Sequence, residues 1–151
     1  MSASAPTILV YEFSIDGGEP IVAMLSACTD LSAIVTVAND ESGMLGMCRT
    51  GRVDCIVVGH DGTLAEGLAL AARARQIGPT VSPSIVLIAR EDDEAAAFAA
   101  GGNLDIDDYL VRAALNRWRL GQTVRAAIGR RSLRRELADA GRELDRVSQT
   151  D

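Results

Sequence analysis

Residues 53–68 read VDCIVVGHDGTLAEGL, and this stretch decides the fold. Its first half contains the continuous apolar run CIVV, which predicts a strand covered on both faces. The run breaks at Gly59 and at the turn pair Asp61-Gly62, and a helix is predicted over residues 63–77. In an open α/β sheet, ligands bind at such strand ends. The residue at the tip of this strand is Gly59, which has no side chain.

Four further apolar runs, at residues 7–11, 33–37, 84–88 and 109–111, are equally short and rich in β-branched residues. Helices are also predicted at residues 19–28, 40–50, 92–100 and 113–128. Strand and helix alternating along the whole chain predict a doubly wound α/β fold. Right-handed crossovers and one switch point favour a flavodoxin-like, five-stranded parallel sheet of order 2-1-3-4-5.

The composition limits the classes of function. The chain has 151 residues, of which 48% are hydrophobic, and this suits one domain with a substantial core. The formal net charge is −6 and aromatic residues make up 3%, so no nucleic-acid partner is expected. Three cysteines without a metal-binding spacing predict reduced thiols and a cytoplasmic location. No apolar run approaches the length of a membrane span, and no membrane partner is expected.

Residues 130–151 differ in composition from the rest of the chain. Their apolar residues are spaced 4, 3, 4 and 3 positions apart, as in a heptad seam: Leu133, Leu137, Ala140, Leu144 and Val147. Such a stripe docks on the domain, pairs with another helix, or belongs to a solvated extension. We therefore expect a disordered arm at residues 1–6, a domain at residues 7–129, and a helical extension or linker at residues 130–151.

The stretch VDCIVVGHDGTLAEGLAL resembles the third strand and third helix of two-component response-regulator receiver domains, of the chemotaxis-regulator type. Three further segments resemble this family in the same order along the chain: ILVYE at residues 8–12, AREDDEAAAFAAG at residues 89–101, and DDYLVR at residues 107–112. The resemblance spans about residues 7–129. It implies the flavodoxin-like fold and a role in phosphorelay signal transduction.

The resemblance assigns the functional positions of the family to residues of this chain. The phosphoacceptor aspartate falls at Gly59. The acidic pair after the first strand falls at Glu12 and Phe13, so one carboxylate of the acidic pocket remains. The hydroxyl residue that ends the fourth strand falls at Ala89, and the lysine that ends the fifth falls at Arg112.

These departures contradict the usual chemistry of the family. Phosphoryl transfer to a receiver needs a carboxylate nucleophile and Mg²⁺, which prefers oxygen ligands. Gly59 supplies no side-chain oxygen, Phe13 removes a metal ligand, and Ala89 removes the hydroxyl. The resemblance thus implies a degenerate receiver, or pseudo-receiver, with its Mg²⁺ site lost and no cofactor. Asp61, two residues beyond Gly59, is the candidate substitute acceptor or metal ligand.

Three positions are candidates for switching or output: Ala89, Arg112 and Tyr109, which matches the aromatic switch residue of the family. Arg90 and Arg112 could also form an anion-binding site at the strand ends, although internal Arg–carboxylate pairs are the simpler interpretation.

Asp105, Asp107 and Asp108 form an acidic run before the fifth strand. Such runs are usually solvated surface. In receivers this region belongs to the output and dimer surface, which favours a partner role.

Three functions remain open. The first is a phosphorylation-independent interaction or dimerisation module that binds a signalling partner or a second copy, as part of a sensor histidine kinase or another multidomain regulator. The second is an atypical receiver phosphorylated on Asp61. The third is an anion or small-ligand binder at the strand-end crevice. An enzyme is not expected, because the chain has no nucleophile with a base, no GxGxxG after a strand and no P-loop.

Overall fold

A computed structural model describes residues 5–12, 20–28, 32–50, 52–59, 64–77, 83–89 and 106–148, with the backbone alone at residues 12, 64–66, 89, 113 and 145–148. Five strands form one sheet: β1 Thr7–Glu12, β2 Ile34–Ala38, β3 Cys55–Gly59, β4 Ser84–Ala89 and β5 Asp108–Val111. All neighbouring strands are parallel, and their order is β2-β1-β3-β4-β5. The predicted flavodoxin-like fold and strand order are confirmed.

Four α-helices lie within the described residues: α1 Ile21–Ser26, α2 Glu41–Arg49, α3 Leu64–Gln76 and α4 Arg117–Ser148. Helix α2 lies within the predicted segment 40–50. Asp40 caps its amino end, because the Gly43 N–H donates to the Asp40 side chain at 2.6 Å. A 3₁₀ turn, Arg112–Ala114, connects β5 to α4. The helix predicted at residues 92–100 lies outside the described residues.

Helix α4 spans two predicted segments. We expected a helix over residues 113–128 and a helical extension or linker over residues 130–151, and one helix of 32 residues, Arg117–Ser148, runs through both. The predicted boundary between residues 129 and 130 therefore falls inside a continuous helix.

The sheet separates two apolar clusters, which explains why its strands are apolar on both faces. Alternate residues of β3 point to opposite sides. Cys55 and Val57 pack in the cluster that includes α1 and α4, while Ile56 and Val58 pack in the cluster that includes α2 and α3. All of these residues are at most 1% exposed, so β3 is the centre of the fold.

Helices α1 and α4 approach closely at one point. A Cβ atom added at Gly121 would lie 3.1 Å from the Cys28 Sγ, which is closer than most such contacts. The Cys28 thiol is half-buried there and donates to the Met24 carbonyl oxygen at 3.2 Å. Gly121 therefore allows α4 to pack closely against the end of α1.

The cysteines differ in accessibility, and this gives a test of the packing. Burial raises the pKa of the Cys48 thiol to about 11, and it also raises the pKa of Cys55. Because thiolates are the reactive species, an aromatic disulfide reagent at mildly alkaline pH should leave both residues unmodified in the native protein. We expect at most one thiol per chain, that of Cys28, to react rapidly, and all three to react after denaturation. The Cys28→Ser variant should lose the rapid phase, and rapid reaction of a second thiol would contradict the burial described above.

Candidate functional site

The carboxyl ends of the strands bring together the positions that the sequence singles out. In the sheet register Glu12 of β1 pairs with Gly59 of β3, and Gly59 pairs with Ile88 of β4. Gly59 is the last residue of its strand and is buried. It therefore occupies the centre of this edge, with the end of β1 on one side and the end of β4 on the other.

Glu12 and Ala89 end the two strands that flank Gly59, and the structure describes their backbones alone. The three predicted positions thus lie side by side along one edge. Asp61 and Arg90, the candidate substitute acceptor and one half of the candidate anion site, lie outside the described residues. Their roles stay predictions.

Tyr109 and Arg112 lie on the outer side of this edge. Tyr109 pairs with Leu87 in the β4–β5 register and packs, half-buried, against the cluster that includes α2 and α3. Arg112 directly follows Val111, which pairs with Ala89, and its half-buried side chain begins the 3₁₀ turn. The sequence predicted Tyr109 in the fifth strand and Arg112 at its end, and in the structure Tyr109 is the second residue of β5 and Arg112 directly follows the strand. Their switch and output roles remain predictions.

Two negative findings apply to the described residues. No three His, Cys, Asp or Glu side chains there come together as a group that could hold a metal ion. None of the helices described above combines the length and the apolar character that crossing a membrane requires.

The amino ends of the strands carry a dense polar arrangement that we call the amino-edge cluster: Asp54, Arg75, Ser84, Asp107, Arg131 and Arg134. Its two carboxylates satisfy the backbone N–H groups at the beginning of neighbouring strands. Asp54 accepts from the Thr7 N–H at 2.8 Å, and Asp107 accepts from the Ile85 N–H at 2.6 Å.

Arginines of α4 reach both carboxylates. Arg131 is 2% exposed, and its Nη1 lies 2.8 Å from an oxygen of Asp54. Arg134 donates to Asp107 at 3.1 Å and to the Ser84 hydroxyl at 3.1 Å. The Ser84 hydroxyl in turn donates to the carbonyl of Ala127 at 2.6 Å. Helix α4 is thereby tied to the amino ends of β3, β4 and β5.

Asp107 also receives a second guanidinium, because Arg75 of α3 lies 2.6 Å from it. Its side chain is 8% exposed, so the interpretation of this acidic run as solvated surface is wrong for Asp107. Burial lowers the pKa of the Arg131 guanidinium, and the nearby positive charge of Arg135 acts in the same direction. The amino-edge cluster is therefore a structural element in which carboxylates offset buried cations.

Sequence reasoning missed this cluster, although the chain carries two signals for it. Asp54 directly precedes β3 and Asp107 directly precedes β5, and a carboxylate at such a position can accept from the backbone N–H of a neighbouring strand. The buried stripe of α4, Leu120, Val124 and Ala127, continues at helical spacing into Arg131 and Arg134. Both arginines were instead interpreted as part of a separate extension.

No protein-family model matches this chain, and no curated protein matches it. Solved structures do resemble it. The adenylate cyclase from Rhodopirellula baltica is 17% identical with a TM-score of 0.69, and the match covers 97% of this chain and 100% of that chain. The REC domain of AraT, a response regulator from Geobacillus stearothermophilus, is 20% identical with a TM-score of 0.63, covering 87% and 99% respectively.

A response regulator receiver protein from Sinorhizobium medicae is 23% identical with a TM-score of 0.59, and the match covers 84% of this chain and 97% of that chain. The class defined by the sheet and its helices is therefore the doubly wound, flavodoxin-like α/β fold. Within that class, the chain has the fold of response-regulator receiver domains.

The Arg131–Asp54 pair gives a quantitative test of the amino-edge cluster. The Arg131→Met variant should lower the free energy of unfolding by roughly 3–5 kcal/mol, because it leaves the Asp54 carboxylate without its cation. The 25% exposure of the Asp54 side chain places the expected value toward the lower end of that range. Urea denaturation followed by circular dichroism measures the change.

Arg135→Met is the matched control, since Arg135 lies on the exposed side of the same helix. This variant should change the free energy of unfolding by less than about 0.5 kcal/mol. Equal effects of the two substitutions would show that the Arg131–Asp54 pair does not stabilise the fold.

Proposed function

We propose that this domain is a degenerate receiver that acts in two-component signalling as a protein-interaction module, independently of phosphorylation. The observation that supports this proposal is the place of Gly59 at the end of β3, between Glu12 and Ile88 in the sheet register. A receiver needs its nucleophilic carboxylate at that point. Glycine offers only its backbone there, so the fold is present without the group that accepts a phosphoryl.

The chemistry of the neighbouring residues supports the same proposal. Phe13 follows Glu12 where a second carboxylate would help to hold Mg²⁺, and Ala89 ends β4 without a hydroxyl. A phosphoryl group at this edge would carry negative charge, and the Mg²⁺ ion and the hydroxyl hydrogen bond that stabilise this charge in receivers would be missing. We therefore propose that the domain holds no Mg²⁺ and is not itself an enzyme.

The described surface supports an interaction role. The side chain of Trp118 is 74% exposed and borders a groove of about 200 Å³ between α1 and α4, which Arg117 and Arg125 also line. Ile34 and Val37 of the edge strand β2 are 55% and 48% exposed. We propose the groove beside Trp118 and the edge strand β2 as candidate contact sites. A signalling partner or a second copy of the chain is the occupant that we propose for such surfaces.

Without a phosphoryl switch, a signal requires a partner that binds one conformation of the domain better than another. Arg112 begins the 3₁₀ turn that connects β5 to α4, and Tyr109 lies in β5 three residues before it. We propose that this connection carries the difference between the two conformations. The domain would then belong to a multidomain regulator, such as a sensor histidine kinase, in which its state depends on binding.

A phosphorylation assay tests the proposed function. The protein is incubated with acetyl phosphate and Mg²⁺, and the intact mass is measured alongside that of a working receiver domain in the same mixture. We expect the mass of a phosphoryl group to be added to the reference domain and not to this protein. A stoichiometric addition to this protein would overturn phosphorylation independence.

Two variants then locate the acceptor if an addition occurs. Loss of the added mass in Asp61→Ala, with retention in Asp139→Ala, would establish the atypical receiver that uses Asp61. Asp139 is the matched control, because it is an exposed aspartate on α4 far from the carboxyl edge of the sheet.

A further inference from the structure

The C-terminal part of α4 carries a row of exposed leucines. Leu133, Leu137 and Leu144 are 56%, 65% and 71% exposed, and Ala140 completes the row. These residues follow the alternating spacing of a heptad seam, with Leu137 and Leu144 at a positions and Leu133 and Ala140 at d positions. A row of exposed leucines in that pattern is typical of a helix that pairs with another helix of the same spacing.

This seam lies on the side of α4 that is turned away from the domain. The buried stripe of the helix consists of Leu120, Val124, Ala127 and Arg131. At 3.6 residues per turn, the seam lies about 140° around the helix axis from that stripe. A second helix can therefore contact the seam while α4 keeps its contacts with the sheet.

The charges beside the seam favour a second copy of this helix in parallel orientation. With two helices parallel and in register, the g position Glu136 lies opposite the e position Gly141 of the second copy. Glu143 likewise lies opposite the second copy's Ser148, so the glutamates meet no like charge. In an antiparallel pair, g positions face g positions, and Glu136 then lies opposite the second copy's Glu143. That arrangement opposes two negative charges along the seam.

We propose that residues 133–148 of α4 pair with the same residues of a second copy as a parallel, in-register, two-stranded coiled coil. The seam covers only about two heptads, and Gly141 weakens its helix, so pairing is concentration-dependent rather than permanent. Because Arg131 and Arg134 attach α4 to the sheet where the seam begins, pairing holds the two domains at a fixed distance from the coil.

This inference deepens the proposed interaction role and rests on it only for the biological use of the pair. Sedimentation equilibrium tests pairing alone when no phosphoryl donor is present. Chain concentrations from about 1 μM to about 1 mM cover the range over which weakly associated dimers dissociate. We expect a monomer–dimer equilibrium for the natural sequence. In the doubly substituted Leu137→Glu/Leu144→Glu protein we expect monomer throughout, with an unchanged circular dichroism spectrum since both leucines are exposed.

Trp118→Glu is the matched control, because it replaces another exposed apolar residue on the same helix outside the seam. It should retain the dimer. A natural sequence that stays monomeric over the whole concentration range overturns the proposal. Loss of the dimer in Trp118→Glu, together with its retention in the Leu137→Glu/Leu144→Glu protein, also overturns it, since the contact then lies elsewhere.

Cross-linking determines the orientation. In a parallel pair the two copies of residue 144 face each other at an a position, so Leu144→Cys should form a disulfide-linked dimer under mild oxidation. Arg142→Cys, at the outward-facing f position, should remain largely uncross-linked. Equal cross-linking of the two variants contradicts the parallel in-register arrangement. A monomeric protein that accepts no phosphoryl group would overturn the pairing while leaving the proposed function intact.

Discussion

The Arg131 guanidinium is a charge placed almost entirely out of water, and the Asp54 carboxylate compensates it at 2.8 Å. This pair also joins distant parts of the chain, because Asp54 satisfies the first N–H of β1 and stands directly before β3. Asp107 likewise accepts from the Ile85 N–H of β4, and it forms ion pairs with Arg75 and Arg134. The same two carboxylates therefore connect α4 to the amino ends of the strands.

The two edges of the sheet have opposite characters. At the amino edge, carboxylates and guanidiniums are paired and largely removed from solvent, and their contribution is to stability. At the carboxyl edge, the central residue is Gly59, which ends β3 without a side chain. Under the proposed function, the domain has no phosphoryl acceptor at that point and contacts other proteins through α4 and through the connection from β5 to α4.

Much of the fold follows from local patterns in the sequence. Five short β-branched runs alternating with helical segments predict both the number of strands and their order, because parallel strands with right-handed crossovers admit few topologies. The positions at the strand ends, Glu12, Gly59 and Ala89, also follow, since the register of a parallel sheet aligns them. The residue types at these positions could therefore be compared with the receiver pattern that the sequence resembles.

The parts that could not be predicted depend on long-range pairing. Asp54 and Arg131 are 77 positions apart, and no local pattern shows that they meet. The arginines of α4 were assigned to an extension because of their charge, although their helical phase continues the buried stripe. Asp107 was interpreted as solvated because it stands among other aspartates, yet two guanidiniums from α3 and α4 cover it. In each case the charge suggested exposure, while the tertiary partner made burial possible.

Gly121 has a mechanical consequence for the molecule. The Cys28 sulfur lies close to the face of α4 at Gly121 and contacts the Arg117 carbonyl oxygen at 3.4 Å, so the end of α1 packs directly against α4 there. This contact opposes sliding of α4 along its own axis, while the guanidinium pairs a few turns further on oppose its rotation. A torque applied to the C-terminal part of α4 would then be transmitted to the sheet through these contacts.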